Sequence, residues 1–167
     1  TRTGGFGMPG GAFGLILGVG YAYFMLTGVR YAGTMSELER LKNYVSGKID
    51  TSSKEPTFSK LKKWVDESQL GQWHQKIDFL NDTAESNAAK LAIVQENKEK
   101  FTQITDQQDG EIIYDALPVN PEVQETYDQG NYAALLRNKA VQKRIRETFS
   151  DEQLKKLDIE GILGLRK

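Results

Sequence analysis

The chain has 167 residues, with 22 Lys plus Arg against 23 Asp plus Glu, one His and no Cys, a size that suits one domain rather than several. A net charge of -1 supplies no general attraction to nucleic-acid phosphates, and without cysteine there is no disulfide, thiolate zinc site, cysteine-ligated cluster or cysteine nucleophile. The mean hydropathy of -0.54 averages two unlike parts, an intensely apolar N-terminal stretch and a polar remainder.

The organisation expected in chain order is a Gly-rich segment over 1–9, a transmembrane helix over 10–32 and a helical extramembrane region over 33–167. From Thr3 to Val29 no side chain is charged, and Ala12 to Leu26 reads AFGLILGVGYAYFML. At about 1.5 Å per helical residue, Gly10 to Val29 covers about 30 Å, the thickness of the bilayer's hydrocarbon core. Arg2 and Arg30 flank the run, and Tyr21, Tyr23 and Tyr31 stand where phenolic rings reach headgroups. The five glycines between Gly10 and Gly20 would weaken a helix in water. No small-x-small cleavage site follows the core, and Thr1 in place of an initiator fits loss of an organelle presequence or a trimmed start.

Within the run Gly10, Gly14, Gly18 and Ala22 recur every fourth residue and share one helix face. Lipid gives helices no hydrophobic reason to associate, so such a ladder of small residues is read as a helix-helix interface. Gly7 and Gly11 form a second match, with Leu15, Ile16, Leu17, Val19 and Phe24 left for lipid. Arg2 alone precedes the run while Arg30, Arg40, Lys42 and Lys48 follow, which places the C-terminal bulk inside.

Beyond the anchor, Ser36 with Glu39 predicts a capped helix to about Ser46, with Leu38, Leu41 and Val45 on one face. Phe58 to Leu70 predicts a second helix carrying Phe58, Leu61 and Val65, stopped at Gly71. From Trp73 through Ile77, Leu80, Ala84, Asn87, Leu91, Val94, Lys98 and Phe101 the steps alternate between three and four, predicting one helix over 72–105 with a partner along that seam. Residues 106–120 read as a loop pinned by Ile112, Ile113 and Tyr114. Asn120-Pro121 starts a helix stopped by Gly130, Asn131 caps another through Leu135, Leu136, Val141, Ile145 and Phe149, and Ser150 with Gln153 restarts one carrying Leu154 and Leu157. The fold class is all-α: one N-terminal transmembrane helix followed by extended, partner-dependent helices.

Residues that carry chemistry are sparse. Gly5 to Gly10 matches G-x-G-x-x-G, but no strand precedes it and an apolar helix follows, so it is no dinucleotide site. His74 is the sole imidazole and reads as a capping or interface group. Asp106, Asp109 and Glu111 lack calcium-loop spacing, and Glu122, Glu125 and Asp128 read as surface charge. Arg137, Lys139, Lys143, Arg144 and Arg146 form a basic stretch able to meet anionic lipid headgroups, or else a solvated helix face. Neither cofactor nor metal nor small-molecule substrate is expected.

A single N-terminal span bearing the Gly10-Gly14-Gly18 ladder and continuing into a charged helix resembles, over residues 7–45, the accessory subunits of mitochondrial energy-transducing complexes, nearest to the subunit e type of ATP synthase. That resemblance implies a non-catalytic subunit of the mitochondrial inner membrane, bulk on the matrix side, whose Gly10, Gly14 and Gly18 contact another subunit's helix. Similar layouts occur in accessory subunits of respiratory electron-transfer complexes. A membrane-tethered adaptor or translocation component, or a thylakoid or bacterial inner-membrane setting, is the alternative.

Overall fold

The computed structural model describes residues 8–78, 80–105, 125 and 128–166, all helix and turn, with no strand among them. The readings placed on Gly7, on 106–120, on the Asn120-Pro121 helix start and on Glu122 lie outside the described residues. The apolar run opens α1, Met8–Val45, a helix of 38 residues and about 57 Å at 1.5 Å per residue. Residues 11 to 26 are exposed or half-exposed and pack on no apolar core, whereas Leu38, Leu41 and Val45 are buried. One helix therefore serves two surroundings. The new helix expected at Ser36 does not form, because nothing between Arg30 and Ser36 breaks the ladder of backbone hydrogen bonds. Gly47, with φ of 72°, ends the helix where a stop is expected.

Next come α2, Thr57–Glu67, and α3, Gln69–Gln75, joined at a sharp corner. Ser68 is extended there, and its hydroxyl accepts from the Gly71 amide at 2.9 Å. Gly71 is not the stop that its sequence position implies. A Cβ at that position would lie 1.7 Å from the Val65 carbonyl oxygen, so the corner closes only over glycine.

The seam read as one helix is three: α3, then α4, Thr83–Val94, then α5, Lys98–Thr105. Asp82 caps α4 by accepting from the Glu85 amide at 3.0 Å. Nine of the twelve α4 residues are buried, which makes it the central helix, and Ala84, Ala88 and Ala89 let its neighbours approach closely. Around it pack α1 and three short C-terminal helices, α6, Tyr132–Leu136, α7, Lys139–Thr148, and α8, Asp151–Lys156. The last, α9, Ile159–Ile162, closes the end. Asn131 caps α6, and Asn138 divides the single helix expected there by capping α7. Ser150 and Gln153 form the expected reciprocal cap of α8. Leu38, Leu91, Ile104, Leu135, Ile145, Phe149 and Leu154 meet in one core, so the extramembrane helices bury their apolar stripes on one another.

Asn87, a polar interruption of the seam, is explained by this packing. Its side-chain amide donates to the carbonyls of Leu154 at 2.7 Å and Leu157 at 2.9 Å, closing the C-terminal end of α8. Replacing it with Leu strands two buried acceptors. We expect Asn87→Leu to destabilise the head by about 1–3 kcal/mol, measured by denaturant unfolding of the full chain in micelles; an unchanged midpoint would refute that role for the amide.

Candidate functional site

Where α1 leaves its apolar half, charged side chains are buried in a connected series. Arg30 is 2% exposed; its Nε donates to Asp66 of α2 at 2.7 Å and its Nη1 to Asp78 in the turn before α4. Two helical turns further on, Glu37 accepts from Lys62 of α2 at 2.9 Å and from Lys90 of α4 at 2.6 Å. Lys90 also lies 2.9 Å from Glu160 of α9, and Glu160 pairs with Arg166 at 3.1 Å. Burial pushes the Glu37 carboxyl up, but the ammonium groups of Lys90 and Lys62 outweigh it and hold it at about 2 rather than 4.5. Burial likewise disfavours the charged Lys90, yet Glu37 and Glu160 raise its affinity for the proton.

The upper end of the series reaches into the apolar half of α1. His74 Nε2 lies 3.0 Å from Thr27 Oγ1 and 3.2 Å from the Tyr23 carbonyl, and a carbonyl only accepts, so Nε2 carries a proton. Nδ1 faces Asp78 at 3.5 Å. Asn81 donates to Asp78 at 2.8 Å and to the Thr27 carbonyl at 3.2 Å. His74 is thus an interface group, as its isolation in the sequence implies.

Between this series and the α8–α9 turn lies a cavity of about 290 Å³. Arg30, Lys62, Lys90, Lys155, Lys156 and Arg166 line it, against the carboxylates of Asp66, Asp158 and Glu160. Its chemistry suits water or a small anion rather than an apolar ligand. Among the described residues no group of three or more His, Asp or Glu side chains is arranged to hold a metal. Sequence reasoning missed these residues. Arg30 reads as a flank of the apolar run, and the available signal is the shared order of cation then carboxylate, Arg30 and Glu37 on α1 and Lys62 and Asp66 on α2, which an antiparallel pairing matches.

The small-residue face is placed differently. Gly11, Gly14 and Gly18 have open space where a Cβ would stand, and Ala22 is exposed; Gly10 lies in the first turns of α1. Of the basic stretch, Arg137, Lys139, Lys143, Arg144 and Arg146 are all exposed, Arg144 pairing with Glu147 and Arg146 with Asp151. Their level is fixed by α4, which runs parallel to α1: Asn81 bonds the Thr27 carbonyl and Lys90 bonds Glu37. Gln142 of α7 bonds the Glu85 carbonyl, so α7 sits within a turn or so of the level of Arg30. Near the same level Lys155 and Lys156 have no ion-pair partner among the described residues.

The chain matches no family model, no curated protein and no solved structure.

The Glu37 pair carries a pH signature. Because its folded pKa, about 2, lies below the 4.5 of an unperturbed glutamate, the stability it contributes is fully present above pH 4.5 and is lost as pH falls toward 2. Glu37→Gln leaves Lys90 without its closest carboxylate partner and is expected to cost about 3–5 kcal/mol at neutral pH. It should also flatten the acid dependence of unfolding between those pH values; an acid profile parallel to that of the unmodified chain would count against the pair.

Proposed function

We propose that the chain is a non-catalytic, single-pass membrane subunit that holds or assembles a multisubunit complex. Its small-residue face accepts a partner helix and its folded head fixes how that helix is presented. The observation that carries this reading is the open face of Gly14, Gly18 and Ala22, continuing the ladder from Gly10, on a helix long and apolar enough to cross a bilayer. The mitochondrial inner membrane is the setting we favour, with ATP synthase ahead of a respiratory electron-transfer complex, on the resemblance of residues 7–45 to subunit e. The bulk would then face the matrix. Anionic lipid is a second partner, met by Arg137, Lys139, Lys143, Arg144 and Arg146 near the level of Arg30.

One observation favours the alternative, a membrane-tethered adaptor or translocation component. The head buries its stripes in a core of its own, as a module that binds partners reversibly would.

Gentle solubilisation, native electrophoresis and mass identification of what co-migrates separates the two. An integral subunit runs with a large complex; an adaptor runs alone or exchanges freely. Gly14→Leu with Gly18→Leu should strip the chain from its complex while leaving the head folded, since the added side chains meet nothing in the chain itself. Unchanged co-migration of the double variant would reject the glycine face as the contact.

A further inference from the structure

α3 carries its amphipathicity the wrong way round for a helix in water. Gly71 and His74 are its buried residues, Gly71 closed against Val65 of α2 and His74 turned toward α1, while Leu70, Trp73 and the following Ile77 are 56%, 55% and 45% exposed. The exposed residues fall at i, i+3 and i+7, one continuous stripe. On the adjoining α2, Phe58, Leu61 and Trp64 are exposed as well, Trp64 by 69%. From Ser68 to Ile77 there is no carboxylate and a single lysine, Lys76. A soluble surface rarely gathers so many large apolar groups without covering them.

The level of this stripe along α1 identifies what covers it. Tyr23 donates its hydroxyl to the Ile77 carbonyl at 3.2 Å, and His74 meets the Tyr23 carbonyl and the Thr27 hydroxyl. Tyr23 lies seven residues before Arg30, about 10 Å along the axis and inside the apolar run. α2 is held lower: Asp66 binds Arg30, and a Cβ at Gly33 would meet Lys62 at 2.3 Å. The chain therefore climbs along α1 from the level of Gly33 to that of Tyr23 and turns back through Asp78 to α4. At the same level of the span Phe24 and Met25 are exposed as well. At that depth an aqueous neighbour is excluded once α1 crosses a bilayer.

We infer that α3 and the adjoining edge of α2 are seated in the interfacial layer of the bilayer, Leu70, Trp73 and Ile77 against acyl chains and Trp64 at headgroup level. This rests on the membrane-anchor reading above but not on any partner subunit. Tryptophan is the residue that interfacial layers favour, and the two tryptophans of the chain both lie on this edge. Inward-facing His74 turns Nε2 to α1 and Nδ1 toward Asp78, and between Ser68 and Ile77 the one Lys, Arg, Asp or Glu is Lys76, long enough to reach back to headgroups.

The two tryptophans are also the probes. The full chain is reconstituted in phosphatidylcholine vesicles containing lipid brominated at shallow or deep chain positions. Trp64→Phe leaves Trp73 as the sole emitter and Trp73→Phe leaves Trp64, each variant checked for unchanged helical content by circular dichroism. Trp73 emission should fall about twofold with shallow bromine and less with deep bromine, while Trp64 should respond weakly to both and remain open to aqueous iodide. Retention in the vesicles at alkaline pH, with Trp73 blind to bromine and quenched by iodide, overturns the inference and leaves the anchor standing. Release at alkaline pH overturns both.

Discussion

The charges that α1 carries immediately beyond its apolar half decide how everything else is arranged. Arg30 and Glu37 are seven residues apart, two turns on one face, and each binds side chains from other elements: Asp66 and Asp78 on the first, Lys62 and Lys90 on the second. On α2 the order is again cation then carboxylate, Lys62 one turn before Asp66, so only an antiparallel placement in one register satisfies both. A slip by two turns would set Asp66 against Glu37. Burying such charges costs several kcal/mol per ion, roughly what their attraction returns, so the series contributes register more than net stability. The free energy comes from the core of Leu38, Leu91, Phe149 and their neighbours.

Continuity of α1 turns that register into geometry shared by its apolar half and the folded head. The proline of α1, Pro9, stands in its first turn, where it removes no intrahelical hydrogen bond, so the roll of the apolar half and the roll of the head are one variable. At 100° per residue, Gly18 lies about 120° around the axis from Arg30, and Gly14 and Ala22 lie about 40° to either side of it. The small-residue stripe thus lies to one side of the face that Arg30 and Glu37 give to α2 and α4, its Ala22 end within about 20° of Gly33, against which Lys62 of α2 packs. On the proposed reading, a helix seated on that stripe would fix the rotation of the head about the membrane normal.

What could be read from sequence was what is local. The apolar run, the glycine stop at Gly47, the caps at Asn131 and Ser150 and the buried face of Leu38, Leu41 and Val45 each depend on neighbours within a turn or two. The seam from Trp73 to Phe101 was misread as one helix because its period survives two breaks. Asp78 and Asn81 leave helical geometry to reach Arg30 and Thr27, some 50 residues back, and no periodicity encodes such a demand. Asn87 counted as a defect until the ends of α8 and the following turn came into contact with it. The small-residue ladder is legible as a pattern of spacing, but the open space along it reflects the exposure of that half of α1, since Gly20 and Gly28 off the ladder are as open. The cavity was not, because Arg30, Lys90 and Lys155 have no sequence relation to one another.

Pairing also alters which charges can orient the chain. Arg30 stands first among the cations counted after the span, yet Asp66 and Asp78 neutralise it and bury it, and Lys62 and Lys90 are consumed by Glu37 in the same way. A field at the membrane surface acts on charge that remains uncompensated. Among the described residues that charge sits later in the chain, on Arg137, Lys139, Lys143, Lys155 and Lys156, which the docking of α7 and α8 on the first half of α4 brings near the level of Arg30. On the proposed reading, orientation during insertion, when the chain is unfolded, and adhesion of the folded head would be served by different cations: the near set by sequence distance, the far set by folding.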